Sequence, residues 1–181
     1  TLSLARLEDV LTQFWSELAP NAAVAGEVAT WLTTDSREVS PGATFVAIPG
    51  VAADGRDYID KALDAGACLV LAEGPQDAPP RVDGRVLWLP GLRARLGELA
   101  RTLYQVPDGL ELIGVTGTNG KSSVTHYIAE LSRATGSDCG LIGTLGHGRP
   151  GALTQGMLTT PEPLALQRQL GELADQGITR I

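Results

Sequence analysis

The sequence is poor in the residues that would staple it or bind a metal, with two cysteines and two histidines in 181 residues. Cys68 and Cys139 lie in the apolar runs Ala67-Cys68-Leu69-Val70 and Cys139-Gly140-Leu141-Ile142, with no Cys-x-x-Cys pair and no histidine at ligand spacing. That pattern argues against a disulfide framework or a zinc site and predicts two buried free thiols, as in a reducing compartment. Long hydrophobic runs are missing too. No stretch approaches the roughly 20 apolar residues that span a bilayer, and the first residues lack a basic segment followed by an apolar one. The expectation is a cytoplasmic chain with no membrane insertion. Lysine is scarce: Lys61 and Lys121 are the only two among fourteen basic residues, against 21 acidic residues and a formal net charge of −7. A basic face for nucleic acid is therefore not expected, and any anionic ligand has to be held locally.

What is present describes a globular protein. Hydrophobic residues at 43% and charged residues at 19% suffice for a real core, and the length allows one domain or two small ones. Leu4, Leu7, Leu11, Phe14, Trp15 and Leu18 recur at helical steps before Pro20. Residues 44–48, 67–72 and 86–89 read as strands and residues 58–65 and 92–103 as helices, with a polar, Pro-rich connection over 74–84. Strands alternating with helices predict a parallel or mixed α/β sheet. The turn Val106-Pro107-Asp108-Gly109 marks a domain boundary, dividing the chain into 1–107 and 108–181. Beyond it the pattern predicts a strand over 110–115, a glycine loop, and a helix with Val124, Tyr127, Ile128 and Leu131 on one side. A strand over 139–144, a loop rich in Gly and Thr, and a helix from Pro163 carrying Leu166, Leu170 and Leu173 follow. Residues 178–181 open a third parallel strand, so the sequence reads as the first part of something longer.

The chemistry is concentrated between the strand at 110–115 and the helix after it. Gly114-Val115-Thr116-Gly117-Thr118-Asn119-Gly120-Lys121-Ser122-Ser123 is a variant of the phosphate loop G-x-x-x-x-G-K-[ST], with Val115 where the first glycine stands. Glycines let successive backbone N–H groups point at phosphate oxygens, and the helix adds its positive end. Gly117, Thr118, Asn119, Gly120, Lys121, Ser122 and Ser123 are the expected ATP-binding residues. Lys121 is the expected catalytic cation, and the hydroxyl of Ser122 the expected Mg²⁺ ligand. A glycine-rich turn without a ligand is the bland alternative. The spacing Gly-x-x-Gly-x-x-Gly departs from the dinucleotide fingerprint, and the Asn-Lys-x-Asp of GTPases is absent. His126 and His147 read as surface histidines.

Thr116-Gly117-Thr118-Asn119-Gly120-Lys121-Ser122 resembles the ATP loop of the Mur ligases, the ATP-dependent amino-acid ligases of peptidoglycan synthesis. Thr34-Asp35-Ser36-Arg37 with Pro41-Gly42 and Phe45-Val46-Ala47 resembles that family's N-terminal uridine-diphosphate segment, and Asp54-Gly55-Arg56 its next turn. Gly143-Thr144-Leu145-Gly146 followed by Thr159-Thr160-Pro161 is most similar to the MurE branch, which adds a diamino acid to UDP-MurNAc-L-Ala-D-Glu. The resemblance implies a small α/β UDP-binding domain followed by the first part of a P-loop-type parallel-sheet ATPase domain. It also implies Thr34, Ser36, Val51, Ala52, Ala53, Thr159 and Thr160 as contacts to the UDP-muramoyl-dipeptide. The implied activity is ligation through an acyl phosphate, with Mg²⁺ as cofactor and ATP as a substrate. Meso-diaminopimelate is expected before lysine as the amino acid, and the protein is expected to be a monomer. Residues 1–181 by themselves are expected to bind without catalysing. Another ligase of the superfamily, such as MurF or a folylpolyglutamate synthase, and a non-catalytic nucleotide-binding module are the alternatives.

Overall fold

Two strands, β2 (Ala43–Ala47) and β3 (Leu69–Gly74), are buried almost throughout, which requires cover on both faces and is the usual condition of a parallel pair. The computed structural model, which describes residues 3–18, 31–50, 53–155 and 161–181, pairs them in parallel with Phe45 opposite Val70 and Ala47 opposite Ala72. On one side β1 (Trp31–Thr33) pairs parallel to β2; on the other β5 (Val86–Pro90) pairs parallel to β3. The short β4 (Arg81–Asp83) closes the edge antiparallel to β5, giving the order β1-β2-β3-β5-β4. Sequence pattern locates β2, β3 and β5 to within two residues. It misses β1, three residues long, and β4, whose residues are all exposed and show no alternation of burial.

Helices supply the cover. A 3₁₀ turn (Gly55–Tyr58) runs into α2 (Ile59–Asp64), and Ile59 and Ala62 join Phe45, Ala47, Val70 and Ala72 in one apolar cluster. Gly66 ends this helical segment with φ +96°, a conformation that favours glycine. Helix α1 (Leu4–Phe14) buries Leu7, Val10 and Leu11 at helical spacing, and Ser3 caps it by accepting from the Arg6 N–H. It stops at Phe14, short of Pro20, and Trp15 is fixed instead by its indole N–H donating to the Pro90 carbonyl at 3.0 Å. Helix α3 (Leu92–Leu103) buries Leu92, Leu96, Leu99 and Leu103. Arg6 donates from Nε and Nη2 to the Leu103 and Thr102 carbonyls at 2.9 and 2.7 Å, placing a cation at that helix's negative end.

Residues Thr1–Leu103 and Tyr104–Ile181 form two compact units. In the second, α4 (Lys121–Ala134) and α5 (Pro163–Asp175) are the helices, α5 entered through a proline at its first position. The three segments expected as parallel strands do meet, in the spatial order 110s, 180s, 139s. Arg180 bridges Glu111 on one side and Cys139 on the other, both parallel. Backbone bonds from Glu111 to Thr179, Ile181 to Glu111, Ile113 to Ile181 and Gly140 to Arg180 hold them at 2.8 to 2.9 Å. These are bridges rather than full strands, because each segment pairs over only one to three residues. The loop expected between 144 and Pro163 contains two strands. β6 (Leu141–Gly143), β7 (Gly146–Arg149) and β8 (Ala152–Thr154) form an antiparallel meander, with Gly146 and Gly148 at the tight crossings. A Cβ on Gly146 would stand 2.1 Å from the Thr154 carbonyl oxygen, so the meander cannot close with any other residue there.

Helix α4 lies where the sequence predicts, but its buried face differs. Val124, Tyr127 and Leu131 face solvent, and Ala129 and Ser132 are buried instead. Ala129 packs with Cys139 and Leu141, a close approach that small side chains allow. Among the described residues no helix is long and apolar enough to cross a membrane. Phe45 is fully buried in the first unit, so Phe45→Ala is expected to cost about 3 to 5 kcal/mol in denaturant unfolding. The exposed Val82→Ala change is expected to stay within about 0.5 kcal/mol.

Candidate functional site

The loop from Gly114 to Gly120 leaves the parallel bridge at Glu111 and enters α4 through Gly120, which has φ +78° as the residue before the first helical turn. Gly117 has φ +146°. A Cβ on Gly120 would meet nothing within 4 Å, so the constraint there is backbone conformation and not space. Both values lie where other residues are strained. Thr118, Asn119 and Gly120 are exposed, Lys121 and Ser122 half-buried and Ser123 exposed. The first-turn N–H groups of α4 have no intrahelical acceptor, which leaves a row of donors beside the loop. Lys121 reaches back across the loop, its Nζ donating to the Gly117 carbonyl at 2.7 Å.

Ser122 has its carbonyl engaged by the Thr125 hydroxyl at 2.9 Å and by His126 Nδ1 at 2.8 Å. Since a carbonyl only accepts, His126 donates from Nδ1. His126 is thus tied to the loop-bearing helix turn and is half-buried, not a freely solvated histidine. It lines a small pocket with Ser122, Ser123, Tyr127 and Leu145. His147 is also less exposed than its sequence context suggests, standing in β7 with Nε2 3.8 Å from Glu172. The Ser122 hydroxyl makes no hydrogen bond to the described residues. A lone hydroxyl oxygen beside backbone N–H donors of the kind that suit phosphate fits the chemistry of Mg²⁺, which takes one or two protein oxygens and fills its octahedron with phosphate and water. No group of three His, Cys, Asp or Glu side chains suited to a metal occurs among the described residues. Beside the loop an apolar cleft of about 290 Å³ is lined by Gly114, Val115, Ile128, Leu141, Pro161 and Leu170, among others.

Of the second set of predicted residues, Thr34, Ser36 and Ala53 lie in the first unit, at the carboxyl edge of its sheet. Thr34 and Ser36 follow β1 directly and are half-buried. Thr33 supports their turn, its hydroxyl accepting from the Asp35 N–H at 3.1 Å and donating to Glu38 at 3.0 Å. Ala53 follows β2, its carbonyl accepting from the Gly50 N–H at 2.9 Å. Val51, Ala52, Thr159 and Thr160 lie outside the described residues. Asp54 caps the 3₁₀ turn through the Arg56 N–H, so it acts as a turn residue. Glu73, at the end of the apolar strand β3, accepts from the Arg93 N–H at 2.5 Å, a structural role and not that of a metal ligand. Sequence reading passed over the arginines of the Asp-x-Arg turns. Arg37 is doubly bonded to Asp35 and Arg56 to Asp54.

Cys68 and Cys139 are buried free thiols, as the apolar runs predict, and burial pushes the Cys139 thiol up. The guanidinium groups of Arg37 and Arg56 hold the Asp35 and Asp54 carboxyls below the usual carboxylate range. A depressed folded pKa means that each pair contributes fully above the ordinary carboxylate pKa near 4 and is lost as pH falls through the lower folded value. NMR titration is expected to place both aspartates below the ordinary aspartate range, with Arg37→Gln returning Asp35 alone towards it.

Comparison with known proteins places this geometry. The Mur ligase family, catalytic domain, matches residues 29–104, and the Mur ligase middle domain matches residues 115–181. A UDP-N-acetylmuramoyl-L-alanyl-D-glutamate–2,6-diaminopimelate ligase of Coxiella burnetii is 43% identical over 167 residues, covering 90% of this chain and 34% of the relative. The ligase of the same name from Pseudomonas aeruginosa is 48% identical over 149 residues, 81% of this chain and 30% of the relative. A solved structure of a ligase of that name superposes with a TM-score of 0.69 at 30% identity, covering 99% of this chain and 35% of that one. A MurF-type ligase from Acinetobacter baumannii shares the fold at a TM-score of 0.58 and 21% identity. The chain spans about a third of the length of the curated relatives it matches. Two adjoining matches cover most of its length with one family's successive domains, and the loop over 117–123 and both Asp-x-Arg turns fall inside them, so the chain belongs to the Mur ligase family.

Proposed function

We propose that this chain supplies the uridine-nucleotide end and the ATP loop of an ATP-dependent amide-bond ligase of peptidoglycan synthesis. The reaction joins a diamino acid, meso-diaminopimelate in preference to lysine, to UDP-MurNAc-L-Ala-D-Glu. Relatives at 43 and 48% identity carry the name of the 2,6-diaminopimelate ligase, which supports the choice of amino acid. The observation that carries the reading is the loop closed by Lys121 on Gly117 at the entrance of α4.

In this reading ATP enters with its phosphates against the N–H groups of Gly117, Thr118, Asn119 and Gly120 and the first turn of α4, including Ser123. Lys121 exchanges the Gly117 carbonyl for phosphate oxygens and stabilises charge on the transferring phosphoryl group. The Ser122 hydroxyl would hold Mg²⁺, which supplies charge neutralisation on the phosphate oxygens. The D-Glu side-chain carboxylate of the nucleotide substrate attacks the γ-phosphorus, forming an acyl phosphate and releasing ADP. The amine of the diamino acid then attacks the acyl carbon, losing a proton as phosphate leaves and the amide forms. Positioning does most of the protein's work here, because the leaving groups are supplied by ATP. In the first unit Ser36 and the Thr34 main chain would contact the diphosphate, with Val51, Ala52 and Ala53 beside the uridine. Thr159 and Thr160 would hold the muramoyl-dipeptide. A cytoplasmic monomer is the proposed working form, the domains being 1–107 and 108–181.

The test is phosphate release by the intact protein with ATP, Mg²⁺ and UDP-MurNAc-L-Ala-D-Glu. Release is expected with meso-diaminopimelate and to be much weaker with lysine; none with either amino acid would overturn the assignment. Lys121→Ala is expected to lower kcat by about 100- to 1,000-fold, the scale of losing one charge-stabilising donor. An undiminished rate would remove the loop from the mechanism.

A further inference from the structure

The two turns at the carboxyl edge of the first unit's sheet are built alike, one after β1 and one after the neighbouring β2. In Asp35-Ser36-Arg37 the carboxylate accepts the Arg37 backbone N–H at 2.9 Å, Nε at 2.9 and 3.1 Å and Nη2 at 2.6 Å. In Asp54-Gly55-Arg56 the corresponding distances are 3.0 Å, 3.0 and 3.1 Å and 2.6 Å. Each aspartate therefore fixes both the main chain and the guanidinium plane of the arginine two residues later. Each clasp uses Nε and one Nη2 hydrogen, leaving both Nη1 hydrogens facing away from the carboxylate. The side chains of Arg37 and Arg56 are 82% and 40% exposed. Neither makes a further hydrogen bond to the described residues.

Stability does not account for the repetition, since exposed ion pairs contribute little to it. What a clasp does achieve is to order a long side chain in advance, removing an entropic cost that binding would otherwise incur. The register sets Thr33 beside Phe45, and Asp54 bridges Pro49 just past the end of β2, so the two clasps stand at adjacent strand ends. Lys61, one of only two lysines, lies close enough to act on the Asp35 carboxylate. In a chain of net charge −7 the outer N–H groups of the clasped guanidiniums are short-range, directional donors suited to a group bearing several negative charges. A guanidinium presenting paired N–H groups matches the oxygens of a phosphate.

We propose that Arg37 and Arg56 grip the phosphates of the uridine nucleotide through their outer N–H groups, with Asp35 and Asp54 as the positioning residues that set their direction. This rests on the uridine-nucleotide reading above and adds to it the residues that distinguish a phosphorylated uridine from a bare one.

The experiment measures binding of UDP, UMP and uridine to the intact protein by calorimetry at several salt concentrations. Arg37→Gln and Arg56→Gln are each expected to weaken UDP about ten- to a hundredfold, the range for hydrogen bonds to a charged group, while leaving uridine unchanged. The dependence of UDP affinity on salt is expected to flatten in the double variant. Asp35→Asn and Asp54→Asn are expected to weaken UDP by a smaller factor with the same selectivity, and they carry the test if the arginine variants fail to fold. A double arginine variant that binds UDP as the wild type does would overturn the inference and leave the nucleotide reading standing. Equal losses for UDP and uridine would overturn it too, by making the arginines supports of the turn. Wild-type protein that binds uridine but not UDP would overturn the inference alone, and one that binds none of the three would overturn both readings.

Discussion

The parallel backbone ladder between Ala43–Ala47 and Leu69–Gly74 is the interaction on which the first unit depends. Its strands are buried nearly throughout, so helical cover is needed on both faces, and chain return from one strand to the next has to pass through a crossover. Parallel strands deliver all their following turns to the same edge. That is why Thr34 to Arg37 and Asp54 to Arg56, about 20 residues apart in sequence, come out at adjacent strand ends. Slipping the register by one residue would turn Phe45 and Val70 to the opposite faces and dissolve the cluster they form with Ile59 and Ala62. The position of the turns therefore follows from the packing of the strands. The second unit uses the same device on a smaller scale, with Arg180 between Glu111 and Cys139 and the phosphate loop leaving from the strand end beyond Glu111.

In a chain of net charge −7 the placing of individual cations matters. Three local closures set it. Lys121 is held across five residues by the Gly117 carbonyl, and Arg37 and Arg56 are each held by the aspartate two residues before them. The partners differ in kind. A carbonyl neutralises no charge, so Lys121 keeps its full attraction for a phosphate. A carboxylate cancels the charge of its arginine at long range and leaves short-range, directional N–H donors. The first arrangement suits a group whose charge changes during reaction. The second suits recognition, where geometry matters more than field.

Much of the fold can be read from residue pattern because burial imposes a period. Leu92, Leu96, Leu99 and Leu103 lie on one face of α3 as their spacing predicts; on α5 Leu170 and Leu173 are buried as predicted, but Leu166 is only half-buried and Leu164 is buried instead. The pattern fails where burial does not alternate. β4 is wholly exposed, and β7 and β8 consist largely of glycine and half-buried residues whose pairing depends on φ values near +119° and +142° at Gly146 and Gly148. It misleads on α4, where Val124, Tyr127 and Leu131 form an apolar stripe that stays exposed while Ala129 and Ser132 take the buried side. Helical spacing identifies a stripe but not its neighbour, and the neighbour here is the tight surface of Cys139 and Leu141.

The sequence by itself determines the chemistry of the loop, since Gly117, Gly120, Lys121 and Ser122 supply conformational freedom, charge and a hydroxyl at fixed spacing along one chain segment. It also determines the clasps in principle, because an aspartate two residues before an arginine is a local interaction. Tertiary structure alone decided that the two clasps are neighbours, whereas the bonds of His126 to Ser122 and of Lys121 to Gly117 each span only four residues and are local. The physical reason is the range of the forces involved. Backbone preferences and side-chain bonds within a turn act over a few residues, whereas strand register is a sum over many buried contacts, and only that sum brings separate turns to one edge.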